Sequence, residues 1–248
     1  MKSLFDLIGN YYDLIYSEKN YSEEASFVLE ILKKYKIEGK SLLELGSGTG
    51  IHATELAKKG YFVQGIERSQ SMLLRSKKHN RYKVINGDIR DFSLERKFDS
   101  VISLFHVISY QIKNEDLDSV LNNVGKHLNK GGLFLFDFWY SPAVYNLKPK
   151  VRLKRFHSEN YIITRISEPQ IISEANRVDV EFTFFVENKK DNSIEKFVEI
   201  HPMRHFSLPE IELFALKHDF KLLKSGEWLT NKLPTDKTWG VYSILEKL

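Results

Sequence analysis

Three glycines lie within five positions in the segment Ser41-Leu-Leu-Glu-Leu-Gly-Ser-Gly-Thr-Gly50. A short apolar run precedes them and a helical spacing of apolar residues follows, so the segment predicts a turn from a strand into a helix. Such a turn presents unpaired backbone N–H groups, and glycines allow a ligand to lie against the bare backbone. The segment therefore predicts a binding loop for a nucleotide-like ligand.

The spacing of the glycines separates several kinds of nucleotide loop. A phosphate-binding P-loop ends in lysine followed by serine or threonine, whereas Ile-His follows Gly50 here. A dinucleotide loop has the spacing G-x-G-x-x-G, whereas Gly46, Gly48 and Gly50 have the spacing G-x-G-x-G. Glu44, just before the first glycine, suits a ligand that carries a cation beside the loop better than it suits a pyrophosphate.

Two further acidic residues follow at the ends of the next predicted strands. Glu67 ends the second strand and Asp88 follows the third, in the segment Asn86-Gly-Asp-Ile-Arg-Asp91. Either acid alone would be interpreted as a solvated loop residue. The glycine loop and the two acids, in this order at successive strand ends, together form a specific pattern.

This pattern resembles the class I S-adenosylmethionine-dependent methyltransferases. The resemblance implies that S-adenosylmethionine is the methyl donor and that S-adenosylhomocysteine is released. It also implies that Glu67 accepts hydrogen bonds from both ribose hydroxyls, because a carboxylate offers two acceptor oxygens. Asp88 would accept from the adenine amino group, with Ile89 against the ring, and the methionyl amine would meet backbone carbonyls near Gly46 and Leu104.

Three tyrosines near the start of the chain have two possible roles. Aromatic residues on a first helix most often pack in a core, but these tyrosines could also close the site and bind the methionyl carboxylate. We expect Tyr12 and Tyr21 to contact the cofactor and Tyr16 to pack. The complete set of expected cofactor contacts is Tyr12, Tyr21, Glu44, Gly46, Ser47, Gly48, Gly50, Glu67, Arg68, Met72, Asp88, Ile89 and Leu104.

The segments around the expected acceptor site carry a second resemblance. The fourth strand ends in Ser103-Leu-Phe-His-Val-Ile-Ser-Tyr110 and lacks the N/D-P-P-Y/F motif of DNA and protein-glutamine amide methyltransferases. Together with Tyr12-Asp-Leu-Ile-Tyr16, Phe136-Asp-Phe-Trp139 and Trp239-Gly240, it resembles the sugar N,N-dimethyltransferases. The resemblance implies a small-molecule acceptor, namely the amine or hydroxyl of a nucleotide-linked sugar.

His106 is the candidate catalytic residue. An amine acceptor must be neutral when it attacks, a hydroxyl acceptor needs a base, and histidine changes protonation near neutral pH. The alternative is that His106 only orients the substrate. The expected substrate contacts are Tyr110, Phe138, Trp139 and Arg204, with packing in the core as the alternative for Phe138. Arginine grips phosphate with paired donors, so four residues of the insert would hold a substrate diphosphate unless they belong to a solvated strand face: Arg152, Arg155, Arg204 and His205.

The predicted elements place these residues in a doubly wound α/β fold. Strands and helices alternate up to about residue 140, which predicts a parallel sheet covered on both faces, and four antiparallel strands follow. We expect a seven-stranded Rossmann-like core, residues 1–140 and 207–248, with a four-stranded antiparallel insert, residues 141–206, between the fifth strand and the last helix. The insert would be a substrate lid or a dimer contact. The helices are expected at 21–36, 51–59, 69–78, 114–128 and 209–218.

The composition of the 248 residues limits the possible functions further. There is no cysteine, which excludes disulfides and thiolate metal sites, and we predict no metal. No apolar run approaches the roughly 20 residues that cross a bilayer, so we expect a cytoplasmic protein without membrane partners. The 37 basic and 33 acidic residues are interspersed, so their net charge of +4 does not require nucleic acid. The alternatives are methylation of RNA or another macromolecule, cofactor binding without turnover, and, weakest, a nicotinamide oxidoreductase.

Overall fold

The computed structural model describes residues 5, 7–230 and 232–248. The helices are α1 Tyr12–Ile15, α2 Tyr21–Lys34, α3 Ile51–Lys58, α4 Gln70–Leu74, α5 Asn114–His127, α6 Ser141–Leu147 and α7 Leu208–Lys217. The strands are β1 Ser41–Leu45, β2 Phe62–Glu67, β3 Tyr82–Asn86, β4 Phe98–Ser103, β5 Leu128–Tyr140, β6 Arg152–His157, β7 Tyr161–Ile172, β8 Arg177–Asn188, β9 Ile194–Phe206, β10 Phe220–Glu227 and β11 Gly240–Lys247.

A central mixed sheet organises the fold. Its first five strands run parallel in the order β3-β2-β1-β4-β5. Strand β11 then pairs antiparallel with β5 and with β10. The strands of the insert pair antiparallel in the order β9-β8-β7-β6, and β9 joins the last two residues of β5 in parallel. The insert is therefore continuous with the core sheet at the carboxyl end of β5.

Helices cover both faces of the core sheet, as the sequence predicted. Leu42 of β1 packs in a cluster with residues of α2 and α3, whereas Leu43 and Leu45 pack in a cluster with residues of α5 and α7. Successive side chains of a strand point to opposite faces, so β1 is buried on both sides and reads as a continuous apolar run. This burial holds the ends of the parallel strands, and the loops that follow them, in fixed positions.

Two helices differ from the prediction. Helix α4 begins after Ser69, whose hydroxyl caps it, but it ends at Leu74 instead of residue 78. The chain turns away because the Lys77 N–H bonds to the carbonyl of Thr49 in the glycine loop. Helix α6, immediately after β5, was not predicted. Pro142 lies in its first turn, where a missing N–H costs nothing, and its apolar face is buried against the insert.

The insert covers the N-terminal segment. Phe156, Phe184 and Phe197 of the insert pack in one cluster with Ile8 and Ile15 from the start of the chain. The inner face of this sheet and the N-terminal segment consequently lie over the same edge of the core sheet. Across the described ranges of the chain, no helix is long and apolar enough to cross a membrane.

Candidate active site

A cavity of about 460 Å³ lies at the carboxyl ends of the parallel strands, beneath the insert. Clefts of this size typically hold small molecules. Its walls come from the glycine loop, the ends of β2 to β5, the N-terminal aromatic residues and the inner face of the insert. The predicted site residues that line it are Tyr12, Tyr21, Gly46, Ser47, Gly48, Glu67, Arg68, Met72, Asp88, Ile89, Leu104, His106, Tyr110 and Trp139.

The glycine loop presents bare backbone to this cavity at Gly48. Gly48 has φ +56°, and a Cβ built there would meet nothing within 4 Å. At Gly50, with φ +75°, a Cβ would lie 2.5 Å from Cε1 of Tyr82. Gly50 does not line the cavity, so a glycine is needed there for packing against Tyr82. The predicted contact of Gly50 with the cofactor is therefore corrected. The space beside Gly48 is what a ligand lying on the loop requires.

The carboxylate of Glu67 joins the end of β2 to the glycine loop. Its Oε2 accepts from the Gly48 N–H at 2.8 Å and its Oε1 accepts from the Ser69 N–H at 2.7 Å. Burial raises the pKa of this carboxyl. Because each carboxylate oxygen can accept two hydrogen bonds, both oxygens keep an acceptor position for a ligand hydroxyl.

Asp88 lies beside Glu67 at the end of β3. Arg90 donates from its backbone N–H, Nε and Nη2 to the Asp88 carboxylate, and Nη1 of Arg68 lies 3.8 Å from it. Burial alone would raise the pKa of Asp88, but the hydrogen bonds and charge of Arg90 hold it below its ordinary value. Asp88 therefore stays an anionic acceptor at the cavity wall, with buried Ile89 next to it.

The N-terminal tyrosines all line the cavity, including Tyr16, which was expected only to pack. The ring of Tyr16 lies 4.7 Å from that of Tyr12 and 5.0 Å from that of Phe105. The Tyr21 hydroxyl is buried without a hydrogen-bond partner among the described residues. Burial raises the pKa of both Tyr12 and Tyr21, so these phenols remain protonated and able to donate.

The other end of the cavity is built around His106. Its ring lies 6.1 Å from that of Trp139, which in turn lies 5.4 Å from that of Trp239. Asp137, on β5, has Oδ2 2.8 Å from Nδ1 of His106. Nothing in the sequence assigned a role to Asp137, although a single acid inside the apolar run of β5 is an unusual feature.

Three other predicted contacts lie outside the cavity. Phe138 is fully buried in the core, because it points to the face opposite that of Asp137 and Trp139 along β5. Arg204 is buried in an ion pair with Glu210, at 2.5 Å. Glu44 is buried behind the glycine loop, where desolvation raises its pKa to about 8.

Sequence reasoning missed Arg165, which lines the cavity from β7. Its guanidinium lies 5.2 Å from the ring centre of Phe182 and 5.5 Å from that of Phe156. Among the described residues no carboxylate lies within ion-pair distance of Arg165, nor of Arg152, which lines the cavity from β6. Strand alternation alone could not say which face of β7 meets the site.

The arrangement fits an adenosyl ligand with a positively charged methyl donor. Gly48 with the open space beside it, Glu67 with its spare acceptor positions, and Tyr21 with its unpartnered hydroxyl all line the same cavity. A doubly wound sheet with a ligand cavity at the carboxyl ends of its parallel strands, and this loop, defines a class I methyltransferase.

Comparison with known proteins agrees with this class. Residues 42–132 match the family model described as a methyltransferase domain. The dTDP-3-amino-3,6-dideoxy-alpha-D-glucopyranose N,N-dimethyltransferase of Streptomyces fradiae is 30% identical over 71% of this chain and 69% of its own. The dTDP-3-amino-3,4,6-trideoxy-alpha-D-glucopyranose N,N-dimethyltransferase of Streptomyces venezuelae is 29% identical over 81% of this chain and 84% of its own.

A solved structure shows the same fold over the whole chain. The sugar N-methyltransferase from Streptoalloteichus superposes with a TM-score of 0.82 at 20% identity, covering 100% of this chain and 94% of that one. The chain belongs to the S-adenosylmethionine-dependent methyltransferases and is similar to those that dimethylate nucleotide-linked amino sugars. It is an enzyme that uses S-adenosylmethionine as its cofactor.

Proposed function

We propose that this enzyme transfers a methyl group from S-adenosylmethionine to the amine of a nucleotide-linked sugar. The observation that carries the proposal is the pair of cavity-lining arginines without acid partners, Arg152 and Arg165. A diphosphate supplies the missing negative charge, and arginine binds it with paired donors. The aromatic wall of Trp139 and Trp239 offers flat surfaces for a sugar ring. The relatives that act on dTDP-amino sugars support the same acceptor class.

The chain's own residues orient the reactants in this proposal. S-adenosylmethionine supplies an activated methyl group when it is bound. Glu67 accepts from the ribose hydroxyls, Asp88 accepts from the adenine amino group, and Tyr21 donates to the methionyl carboxylate. The N-terminal tyrosines and the insert exclude water, and His106 lies where the acceptor nitrogen has to arrive.

The insert, residues 141–206, acts as a lid in this proposal, because its inner face supplies Arg152, Arg165 and Phe182 to the cavity roof. A roof of this kind favours a small acceptor over RNA or another macromolecule.

The outer face of the insert exposes Leu153, Val198 and Ile200, with relative exposures of 59%, 43% and 53%. We infer that a second copy of the chain covers this face, and sedimentation of a Val198→Lys variant as a monomer, against a dimeric parent, would test it.

A panel of acceptors tests the proposed function. Purified enzyme with S-adenosylmethionine is offered dTDP- and UDP-linked amino sugars, the matching free amino sugars and an RNA pool, and release of S-adenosylhomocysteine is measured. We expect turnover with a nucleotide-linked amino sugar. The free amino sugar should show either a KM at least tenfold higher or no turnover. Turnover that is equal with the free sugar, or is confined to RNA, would contradict the proposal.

The Arg165→Met variant tests whether the cavity roof causes the preference for a nucleotide-linked sugar over a free sugar. Methionine keeps much of the stem's length and apolar contact with Phe182 but removes the cation. We expect KM for the nucleotide-linked sugar to rise at least tenfold, while the affinity for S-adenosylmethionine stays within twofold. The matched control is Arg155→Met on β6, since Arg155 is exposed and lies outside the cavity.

A further inference from the structure

We propose that Asp137 is a positioning residue for His106, and that the pair removes a proton from the acceptor's ammonium group before methyl transfer. This inference rests on the proposed amine acceptor and concerns how that amine becomes reactive. It begins from the surroundings of Asp137. Its neighbours Leu135, Phe136 and Phe138 are all buried, and Asp137 itself is only 2% exposed.

A carboxylate in such a position is costly unless it is paired. The hydrogen bonds and the ion-pair contact that the described residues make with the Asp137 carboxylate all come from His106. The backbone N–H of His106 lies 3.2 Å from both carboxylate oxygens, and Nδ1 lies 2.8 Å from Oδ2. An apolar residue would fill this place in β5 at lower cost, so the acid points to a role at His106.

The backbone that carries His106 is also held in an unusual conformation. Phe105 and His106 both have left-handed φ values, +65° and +62°. Consecutive residues with side chains rarely adopt this region, and they persist there only where the surroundings impose it. The hydrogen bonds from the His106 N–H to Asp137 provide that restraint, and they keep the imidazole at the cavity wall, where it is 22% exposed.

The same carboxylate sets the proton arrangement of the ring. The geometry between Nδ1 and Oδ2 does not meet the angle of a hydrogen bond, so their 2.8 Å contact is electrostatic. A negative charge there favours the proton on Nδ1, which leaves the lone pair on Nε2 to act as a base.

The proton and electron movements balance without another reactant. An amino sugar carries an ammonium group whose nitrogen has no lone pair. His106 Nε2 takes one proton from it, which leaves a neutral amine and an imidazolium next to Asp137. The amine lone pair attacks the methyl carbon, and the electrons of the breaking carbon–sulfur bond stay on sulfur. The imidazolium returns its proton to solvent, so the pair is ready for a second transfer.

A double-mutant cycle tests whether Asp137 acts through His106. The variants are Asp137→Asn, His106→Gln and the double variant, each assayed with a nucleotide-linked amino sugar at saturating concentrations. We expect kcat to fall at least tenfold in each single variant, with S-adenosylmethionine affinity within twofold of the parent. The double variant should be no slower than His106→Gln. If Asp137→Asn lowers kcat by the same factor in the His106→Gln background as in the parent, the proposal is overturned.

A pH profile keeps the proposal testable if Asp137→Asn does not fold. His106→Gln should regain at least tenfold of its lost kcat between pH 7 and pH 9, because more of the amine is then already neutral. A profile for His106→Gln that parallels the parent's would overturn the role of the pair. Absence of turnover by the parent with every nucleotide-linked amino sugar would instead contradict the proposed function.

Discussion

The Oε2 atom of Glu67 accepts a hydrogen bond from the backbone N–H of Gly48 at 2.8 Å. This bond joins the end of the second strand to the one glycine of the loop that faces open space. A ligand that engages Glu67 therefore meets a loop whose position the same carboxylate already fixes. Under the proposed ribose assignment, the side chain that binds the cofactor also fixes the geometry of the loop.

Substitution of Glu67 by glutamine should weaken cofactor binding. The amide replaces one acceptor oxygen by an NH2 group, so either the Gly48 N–H or the Ser69 N–H loses its acceptor, and the ribose hydroxyl on that side loses its acceptor as well. The loss should be about 1.5–3 kcal/mol, or tenfold or more in affinity, measured by calorimetry with S-adenosylmethionine. Glu30→Gln, the same change at an exposed residue of α2 outside the cavity, is the matched control. Affinity of Glu67→Gln within twofold of the parent would contradict the ribose assignment.

The adenine assignment of Asp88 makes a separate prediction. S-inosylhomocysteine carries a carbonyl oxygen in place of the adenine amino group, so it faces the Asp88 carboxylate with an acceptor. The parent should bind S-adenosylhomocysteine at least tenfold more tightly than the inosyl analogue, and Asp88→Asn should discriminate much less, because its amide can donate. Calorimetry with both ligands measures the ratio, and an unchanged ratio in Asp88→Asn would exclude contact with the amino group.

Burial of Glu44 makes the stability of the ligand-free protein depend on pH. Its pKa is raised from 4.5 to about 8, so the folded state keeps a proton that the unfolded state loses. Stability from this group is therefore complete below about pH 4.5 and falls by up to about 1.4 kcal/mol per pH unit until pH 8.

A glutamine at position 44 should abolish this contribution. The free energy of unfolding is measured with urea for both proteins. The value for Glu44→Gln minus the value for the parent should increase as pH rises from 5 to 8. A difference between the two proteins that does not change over this range would show that Glu44 does not hold its proton in the folded state.

The sequence predicted the cavity wall formed by the glycine loop and the strand-end acids, but it predicted the insert's side of the cavity much less well. Loop glycines and strand-end acids stay close in the chain to the elements that position them, so the meeting of Gly48, Glu67 and Asp88 at one cavity could be predicted. Arg165 and His201 come from the insert, and only the packing of that sheet over the core decides which of its faces meets the cavity.

Two of the predicted substrate contacts were wrong for different physical reasons. Phe138 and Trp139 were expected at the same rim, but adjacent residues of β5 point to opposite faces, and only Trp139 reaches the cavity. Arg204 was expected to meet substrate because it is basic. Its partner Glu210 lies in a later helix, and no local pattern links the two residues.

Arg204 should consequently matter for stability and not for acceptor binding. Arg204→Met removes one partner of the ion pair and leaves Glu210, whose side chain is 19% exposed, without its cation. We expect the free energy of unfolding to fall by about 3 kcal/mol at neutral pH. KM for the acceptor should stay within twofold, in contrast to Arg165→Met. A raised KM at unchanged stability would restore Arg204 as a substrate contact.

Glu199 should control how firmly the N-terminal segment closes the cavity. Its Oε1 accepts from the N–H groups of Leu7 and Ile8, each at 3.2 Å, and its Oε2 lies 3.1 Å from Nε2 of His201. A carboxylate only accepts, so Nε2–H of His201 donates to Glu199, and Nδ1 of the neutral ring accepts from the Tyr110 hydroxyl at 2.8 Å. The start of the chain is thus tied to the insert through one buried carboxylate.

Glu199→Gln has a single amide oxygen and no charge, so either the N–H groups of Leu7 and Ile8 or the Nε2–H of His201 face an NH2 group, and any bond that remains to the N–H groups loses the strength of a carboxylate acceptor. Hydrogen exchange at Leu7 and Ile8 should become at least tenfold faster, and S-adenosylmethionine should dissociate faster in stopped-flow measurements, since Tyr12 on the same segment lines the cavity. Glu195→Gln, an exposed change on the same strand, should alter neither rate. Faster exchange at both amides with unchanged cofactor dissociation would show that the segment does not gate the site.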